Sequence, residues 1–329
     1  TFTSAALDSG GNLEYGKLNW GATVPSQSQG LSPQTNGLVS FWKMDEDSGN
    51  VLDSSVTGNV GTVTGTTSVV GVLGNAREFN GTSDIIDLGD PADGSLDFGA
   101  ADSFTLASWF KSSGAVSMFY VIMQKTNGMV TTPGYFFNIS NSNGAFGFSI
   151  KDETNQVQSY KGTGYNDGKW HHLAVTVDRQ NKIITHYADG VNIGTTDISS
   201  VTGSLGTTEN FTIGADAPYW TKGALDEVVV VKRALSAGEI KAIYDLNALK
   251  FQLAAKTADS GWLDSDFVGP DGTASTYFTA SGTDIPISLD TKRYIKYKAY
   301  LSTANQSYTP ALNDVSISFS DNTAGDRLI

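Results

Sequence analysis

The feature that most constrains this chain is its punctuation. Short apolar or alternating runs recur from Leu38 to Val231, each bounded by glycine, asparagine, aspartate or threonine. They are Leu38–Met44, Arg77–Phe79, Ile85–Leu88, Phe104–Phe110, Tyr120–Gln124, Tyr135–Ile139, Phe146–Ile150, His172–Val177, Ile183–Ala188, Phe211–Ile213 and Leu225–Val231. Runs this short cannot be helices of ordinary length, and their regular spacing predicts an antiparallel sandwich. In Phe104–Phe110 the period of two puts Phe104, Leu106 and Phe110 on one face and Trp109 on the other. Asn80-Gly81 and Asp189-Gly190 are hairpin turns.

One helix interrupts the pattern. Ser236-Ala-Gly-Glu239 is a capping box, and Ile240, Ile243, Tyr244 and Leu246 follow at helical spacing. They predict about three turns covering one end of the sandwich.

A chain of 329 residues exceeds what one core usually serves. Residues 1–36 offer one good strand, Leu13–Val24, then a polar linker from Pro25 to Asn36. After Ala248 strands resume at Phe251–Ala254, Tyr277–Thr279, Tyr294–Leu301 and Val315–Phe319, with a turn at Gly269–Gly272. Residues 1–36 and 249–329 therefore read as one small discontinuous β-sandwich, interrupted by the domain 37–248. The alternative is two consecutive domains with an N-terminal arm.

Charge and composition exclude several functions. The net charge of −13 repels phosphate backbones, so nucleic acid is not an expected partner. Acidity suits calcium and a salty extracellular setting, though it also serves plain solubility. With no cysteine there is no disulfide framework, zinc-thiolate site or thiol nucleophile. No run approaches the roughly 18 apolar residues of a membrane helix. The opening Thr1-Phe2-Thr3 is unlike a signal peptide, so a mature or excised part of a larger multidomain chain is expected.

The central pattern resembles the laminin-G-like, concanavalin A-like lectin superfamily of bacterial surface and secreted proteins. The residues that carry it are Leu38–Glu46, Asp53-Ser-Ser, Phe79–Asp84, Phe104–Trp109, Trp170–Val177, Tyr187–Gly190, Leu225–Val228 and Ala234–Ile240. The resemblance implies an all-β jelly-roll and binding rather than catalysis, with Trp42, Trp109 and Trp170 in the core. It also implies a structural calcium ion where the first and last strands meet. The matching positions are Asp45, Asp226 and the carbonyls of Asn80 and Gly81. A second, ligand-bridging calcium site resembles that of the pentraxins and matches Asn127 and Asp216. The flanking segments are similar to small sandwich repeats of bacterial adhesins, and Trp20 and Trp262 are expected in their core.

Catalytic constellations are hard to find. Glycan hydrolases of this architecture need paired carboxylates on one strand face. Asp45-Glu46-Asp47 and Asp226-Glu227 are sequence neighbours, which regular strands point to opposite faces. No Gly-x-Ser-x-Gly elbow and no phosphate loop occurs. His171 and His172 read as structural. For binding, aromatic rings that stack on sugars are the feature sought. Tyr219-Trp220 beside Asp216 is the leading candidate, with Tyr135 in another loop region. The expected function is a non-catalytic, extracellular carbohydrate-binding or adhesion module whose partner is a glycan or cell-surface glycoprotein. The alternatives are an accessory module of a polysaccharide-degrading enzyme and a filament or phage-fibre component.

Overall fold

The computed structural model describes residues 1–23, 37–72, 74–128, 130–245, 249–274, 276–278, 281–301, 311–320 and 326–328. The expected linker 25–36, Leu246 and Thr279 lie outside the described residues. Contacts divide the chain into two compact units, Thr1–Ser26 with Asp245–Ile329, and Gln27–Tyr244.

The larger unit is a sandwich of two antiparallel sheets. Among the described residues, the front sheet has seven strands. Their order is Gln156–Lys161, Phe146–Lys151, Gly134–Ser140, Phe119–Lys125, Phe211–Ile213, Ile85–Asp87 and Thr62–Thr64. The back sheet runs Val191–Asp197, Ile183–Ala188, His171–Asp178, Phe104–Ser112, Lys222–Val231, Asn75–Asn80 and Thr67–Val70. Leu38–Trp42 also pairs with the Lys222–Val231 strand.

The alternation seen in sequence sets the core. Phe104, Leu106 and Phe110 from the back sheet meet Tyr135, Phe137, Phe146 and Phe148 from the front. Phe98 stacks on Phe104 with centroids 4.0 Å apart. Trp42 is buried there too, its Nε1 donating to the Asn59 carbonyl at 2.6 Å.

Helix Ala237–Asp245 starts as its capping box predicts. Ser236 N–H donates to Glu239 Oε2 at 2.8 Å, and Glu239 N–H returns to Ser236 Oγ at 3.3 Å. Arg233 at 2.6 Å, with Ser236, holds the Glu239 carboxyl down at about 2. The helix does not cap an end of the sandwich. Its Ile240 and Ile243 pack on the outer face of the back sheet against Ala107, Ala174, Tyr187 and Val229. That face carries apolar side chains as well as the inner one, so it needs a cover. Trp109 belongs to it, stacked on Tyr244 at 5.6 Å.

In the smaller unit the long strand Leu7–Thr23 pairs with Lys292–Leu301 and with Ala311–Ser320, joining both ends of the chain in one sheet. Leu18, Phe251, Leu253, Phe278, Ile295 and Ile317 form its core, and Trp20 lies 4.6 Å from Phe251. Trp262 is a correction to the sequence reading. It sits half-buried in a loop, where no strand alternation turns it inward. Its Nε1 donates to Asp259 at 2.8 Å, and the Lys256 and Lys296 ammonium groups lie 5.6 and 4.9 Å from its ring.

Candidate functional site

The front sheet ends in a cavity of about 360 Å³ lined by Gln124, Thr126, Asn127, Thr208, Glu209, Asn210, Asp216 and Ala217. Three pieces of chain build it. The first is the end of the Phe119–Lys125 strand, where Gln124 Nε2 donates to Thr212 Oγ1 at 2.7 Å and Gln124 Oε1 accepts from Thr126 N–H at 2.7 Å. The second is the loop before Phe211. Lys125, fully buried, holds it from behind by donating to the carbonyls of Thr207 and Glu209 at 2.8 and 3.0 Å. The Lys125 ammonium is balanced by Asp90 at 2.7 Å and Asp97 at 3.1 Å. The third is a short hairpin in which Ala215 and Asp216 pair with Trp220 and Tyr219. Every lining side chain is polar except Ala217, and the anchoring hydrogen bonds fix the walls before any ligand arrives.

The structure thus brings Asn127 and Asp216 together on one cavity. Tyr219 and Trp220 are half-buried on the hairpin that carries Asp216. Tyr219 turns back onto the outer face of the front sheet, edge-on to Phe119 at 5.6 Å, beside Val121, Val130 and Phe136. Tyr135 does not belong to the site. It is fully buried between the sheets, its hydroxyl donating to the Leu96 carbonyl at 2.9 Å, and burial pushes that hydroxyl well up. It shares a face with Phe137 and Ile139, and the same period-two argument used for Phe104 places it inward.

The four expected calcium donors fall into two groups. Asp45 and Asp226 both hold the hairpin after Val70. Asp45 Oδ1 accepts from Asn75 N–H at 2.9 Å, and Asp226 Oδ2 accepts from Val72 N–H at 2.7 Å. Asn80 pairs with Lys222 at the far end of its strand, while Leu225 pairs with Arg77. Asn80 is therefore roughly 13 Å along the strand from the level of Asp226. The Asn80-Gly81 turn is held instead by Asp84, which accepts from Asn80 N–H at 2.9 Å.

Sequence reasoning missed Glu227 beside Asp226. A bulge between Asp226 and Val229 breaks the alternation, and Glu227 takes a φ of 50°. Both side chains are buried, and the charge of Asp226 acts on the Glu227 carboxyl. Burial, then the charges of Asp226 and Asp45, push the Glu227 carboxyl well above its ordinary range. Burial likewise raises Asp45. This accumulation of hard oxygen donors and negative charge suits calcium chemically. Among the described residues no three acidic or histidine side chains converge into a metal cage. An ion there would draw on main-chain oxygens such as that of Asn75, which lies close to Gly71 and Asp226.

The histidines do structural work. His171 bridges Asp189 at 3.0 Å and Asp167 at 3.1 Å. Burial lowers it, but the hydrogen bonds and charges of both aspartates outweigh that and raise it. His172 and His186 are buried and held down at about 4 and about 3.

This is a two-sheet lectin-type sandwich with a polar cavity at the end of one sheet. Residues 80–241 match the family model of the concanavalin A-like lectin/glucanases superfamily, and this segment makes the central unit a concanavalin A-like domain. A search of curated proteins finds no match. Among solved structures, the binding domain of Paraclostridial Mosquitocidal Protein 1 is similar over 89% of this chain and 88% of its own, at 14% identity and a TM-score of 0.54. The binding domain of botulinum neurotoxin serotype G is similar over 89% of this chain and 70% of its own, at 11% identity and a TM-score of 0.51. Domain 4 of AbnA, an extracellular arabinanase of Geobacillus stearothermophilus solved with arabinotriose, covers 63% of this chain and 98% of its own, at 19% identity and a TM-score of 0.47. At these identities the likeness is one of fold. Among the described residues no helix is long and apolar enough to cross a membrane.

Proposed function

We propose that the protein is an extracellular glycan-binding module, used for adhesion and without catalytic activity, and that it binds through the cavity at the end of the front sheet. The observation that carries this reading is the joining of Asn127, Asp216 and Gln124 on one preformed polar cavity, beside the half-exposed Tyr219-Trp220 pair. Amides, hydroxyls and a carboxylate are the groups that read sugar hydroxyls, and aromatic ring faces stack on the apolar face of a pyranose. The superfamily of the central unit includes both lectins and glucanases, so fold alone does not choose. The proposal includes the central unit as an insertion in the smaller sandwich, within a larger surface protein. It also includes a structural calcium ion at Asp45 and Asp226.

A glycan array read with and without a chelator tests binding, and a reducing-end assay on the same glycans tests turnover. Saturable binding without product is expected. Release of new reducing ends by the purified protein overturns the non-catalytic reading. An array without any hit overturns the glycan.

A further inference from the structure

Arg179 is a buried cation without an ion-pair partner. It follows the strand His171–Asp178 and is 8% exposed. Its Nη1 donates to the Val201 carbonyl at 2.6 Å and its Nη2 to the Gly203 carbonyl, while Nε is buried with no hydrogen-bond partner. Among the described residues no carboxylate comes within ion-pair distance of the guanidinium. The two whose charges reach it are held elsewhere. Asp152 accepts from the Gly203 and Thr154 amides at 2.7 and 2.9 Å. Asp102 accepts from the Gly99 amide at 2.8 Å and the Lys232 ammonium at 3.2 Å. Burial draws the guanidinium below its ordinary value, and both aspartates offset this only in part. Taking an ion out of water is costly unless a counter-charge and hydrogen bonds replace the water.

Arg179 lines a cavity of about 160 Å³. Arg179 and Lys182 come from the turn between His171–Asp178 and Ile183–Ala188, which Asp178 fixes by accepting from Asn181 N–H at 2.9 Å. Ile198, Val201 and Thr202 come from the segment after Val191–Asp197. The Arg179 bonds pin that segment, and Val201 N–H donates to the Ile198 carbonyl at 3.0 Å. Lys182 is exposed, takes a φ of 57° and forms no ion pair among the described residues; the charge of Asp197 reaches it from farther off. The cavity thus gathers two positive charges beside apolar walls, in a chain whose net charge is −13. Apolar walls lower the local dielectric and strengthen the attraction for an anion.

We propose that this cavity is an oxyanion site, in which the Arg179 guanidinium and the Lys182 ammonium together hold one sulfate or phosphate group. The volume takes one such group with its waters, not an oligosaccharide. Guanidinium N–H groups match the oxygens of these anions, and a dianion answers both cations at once. The group is either a free ion or a substituent on a larger molecule such as a sulfated sugar, and the recognition chemistry is the same for both. The site does not rest on the glycan-binding reading and shares no lining residue with the Asn127 cavity.

The test is a ¹H–¹⁵N titration of the whole protein with sodium sulfate, D-galactose 6-sulfate and D-galactose, at constant ionic strength in sodium chloride. The reporter is the Arg179 Nε–H signal, assigned by its loss in Arg179→Lys. The expected result is a saturable shift of that signal with sulfate, in the millimolar range. Lys182→Glu lies at an exposed position and leaves the Arg179 bonds in place, so the variant is expected to fold and to bind sulfate at least about tenfold more weakly. Tighter binding of the sulfated sugar than of sulfate, through the same signal, assigns the site to a substituent; equal or weaker binding assigns it to the free ion. No shift with either anion overturns the site. So does a shift that Lys182→Glu leaves unchanged, or one that uncharged galactose reproduces.

Discussion

Asp216 and Tyr219 are register partners in a two-strand hairpin, so one tight turn fixes both a carboxylate of the cavity and the aromatic that packs beside Phe119. Moving Tyr219 moves Asp216. Tyr219→Ala is therefore expected to weaken glycan binding even if the ring never touches sugar, through loss of its packing on Phe119. Tyr219→Phe keeps that packing and is expected to bind within about twofold of the parent. Affinities of the two variants for the best array hit check this.

Lys125 is the internal strut of the cavity. Lys125→Met leaves Asp90 and Asp97 without their cation and frees the carbonyls of Thr207 and Glu209. A loss of about 2–4 kcal/mol is expected in urea unfolding, since both aspartates keep some solvent.

Tyr135 separates a core role from a binding role. Tyr135→Phe removes one buried hydroxyl bond, to the Leu96 carbonyl. About 1 kcal/mol of stability is expected to go, with glycan affinity unchanged. Loss of affinity at unchanged stability would contradict its place in the core.

Three histidines pull stability in two directions. His172 and His186, at about 4 and about 3, resist protonation when folded, so their contribution is full above about pH 6.5 and is lost as pH falls toward those values. His171 is raised, so its contribution is full below about pH 6.5 and is lost as pH rises through its folded value. His186→Phe, beside Phe146, is expected to recover about 1–2 kcal/mol at pH 5 relative to pH 7.5. Replacing His171 is expected to flatten the decline above pH 7. Urea unfolding across pH 4–9 reads both.

If calcium is held at Asp45 and Asp226, EDTA is expected to lower Tm by a few degrees, and added calcium to restore it. Asp226→Asn is expected to abolish that response, while Asn80→Ala leaves it intact, because Asn80 belongs to the other turn. A Tm indifferent to EDTA removes the ion from the account.

Much of this architecture was legible in the sequence because it rests on local rules. The alternation at Phe104–Phe110 gave two faces, Ser236 and Glu239 gave the helix start, and spacing gave the sandwich. Tyr135 was legible by the same alternation with Phe137 and Ile139. What was not legible depends on partners distant in sequence. The bulge that buries Glu227 beside Asp226 depends on how Lys222–Val231 lies against Phe104–Ser112. The helix covers a face rather than an end because Ala107, Ala174 and Val229 meet there from three strands. The cavity itself joins Asn127 to Asp216, and no local pattern announces that pairing.

The most direct measurement is calorimetric titration of the best array hit into the parent protein and into Asn127→Ala/Asp216→Ala. A loss of at least about tenfold in affinity, in a variant that still unfolds cooperatively, is predicted. Equal affinity in the two proteins would contradict binding at this cavity.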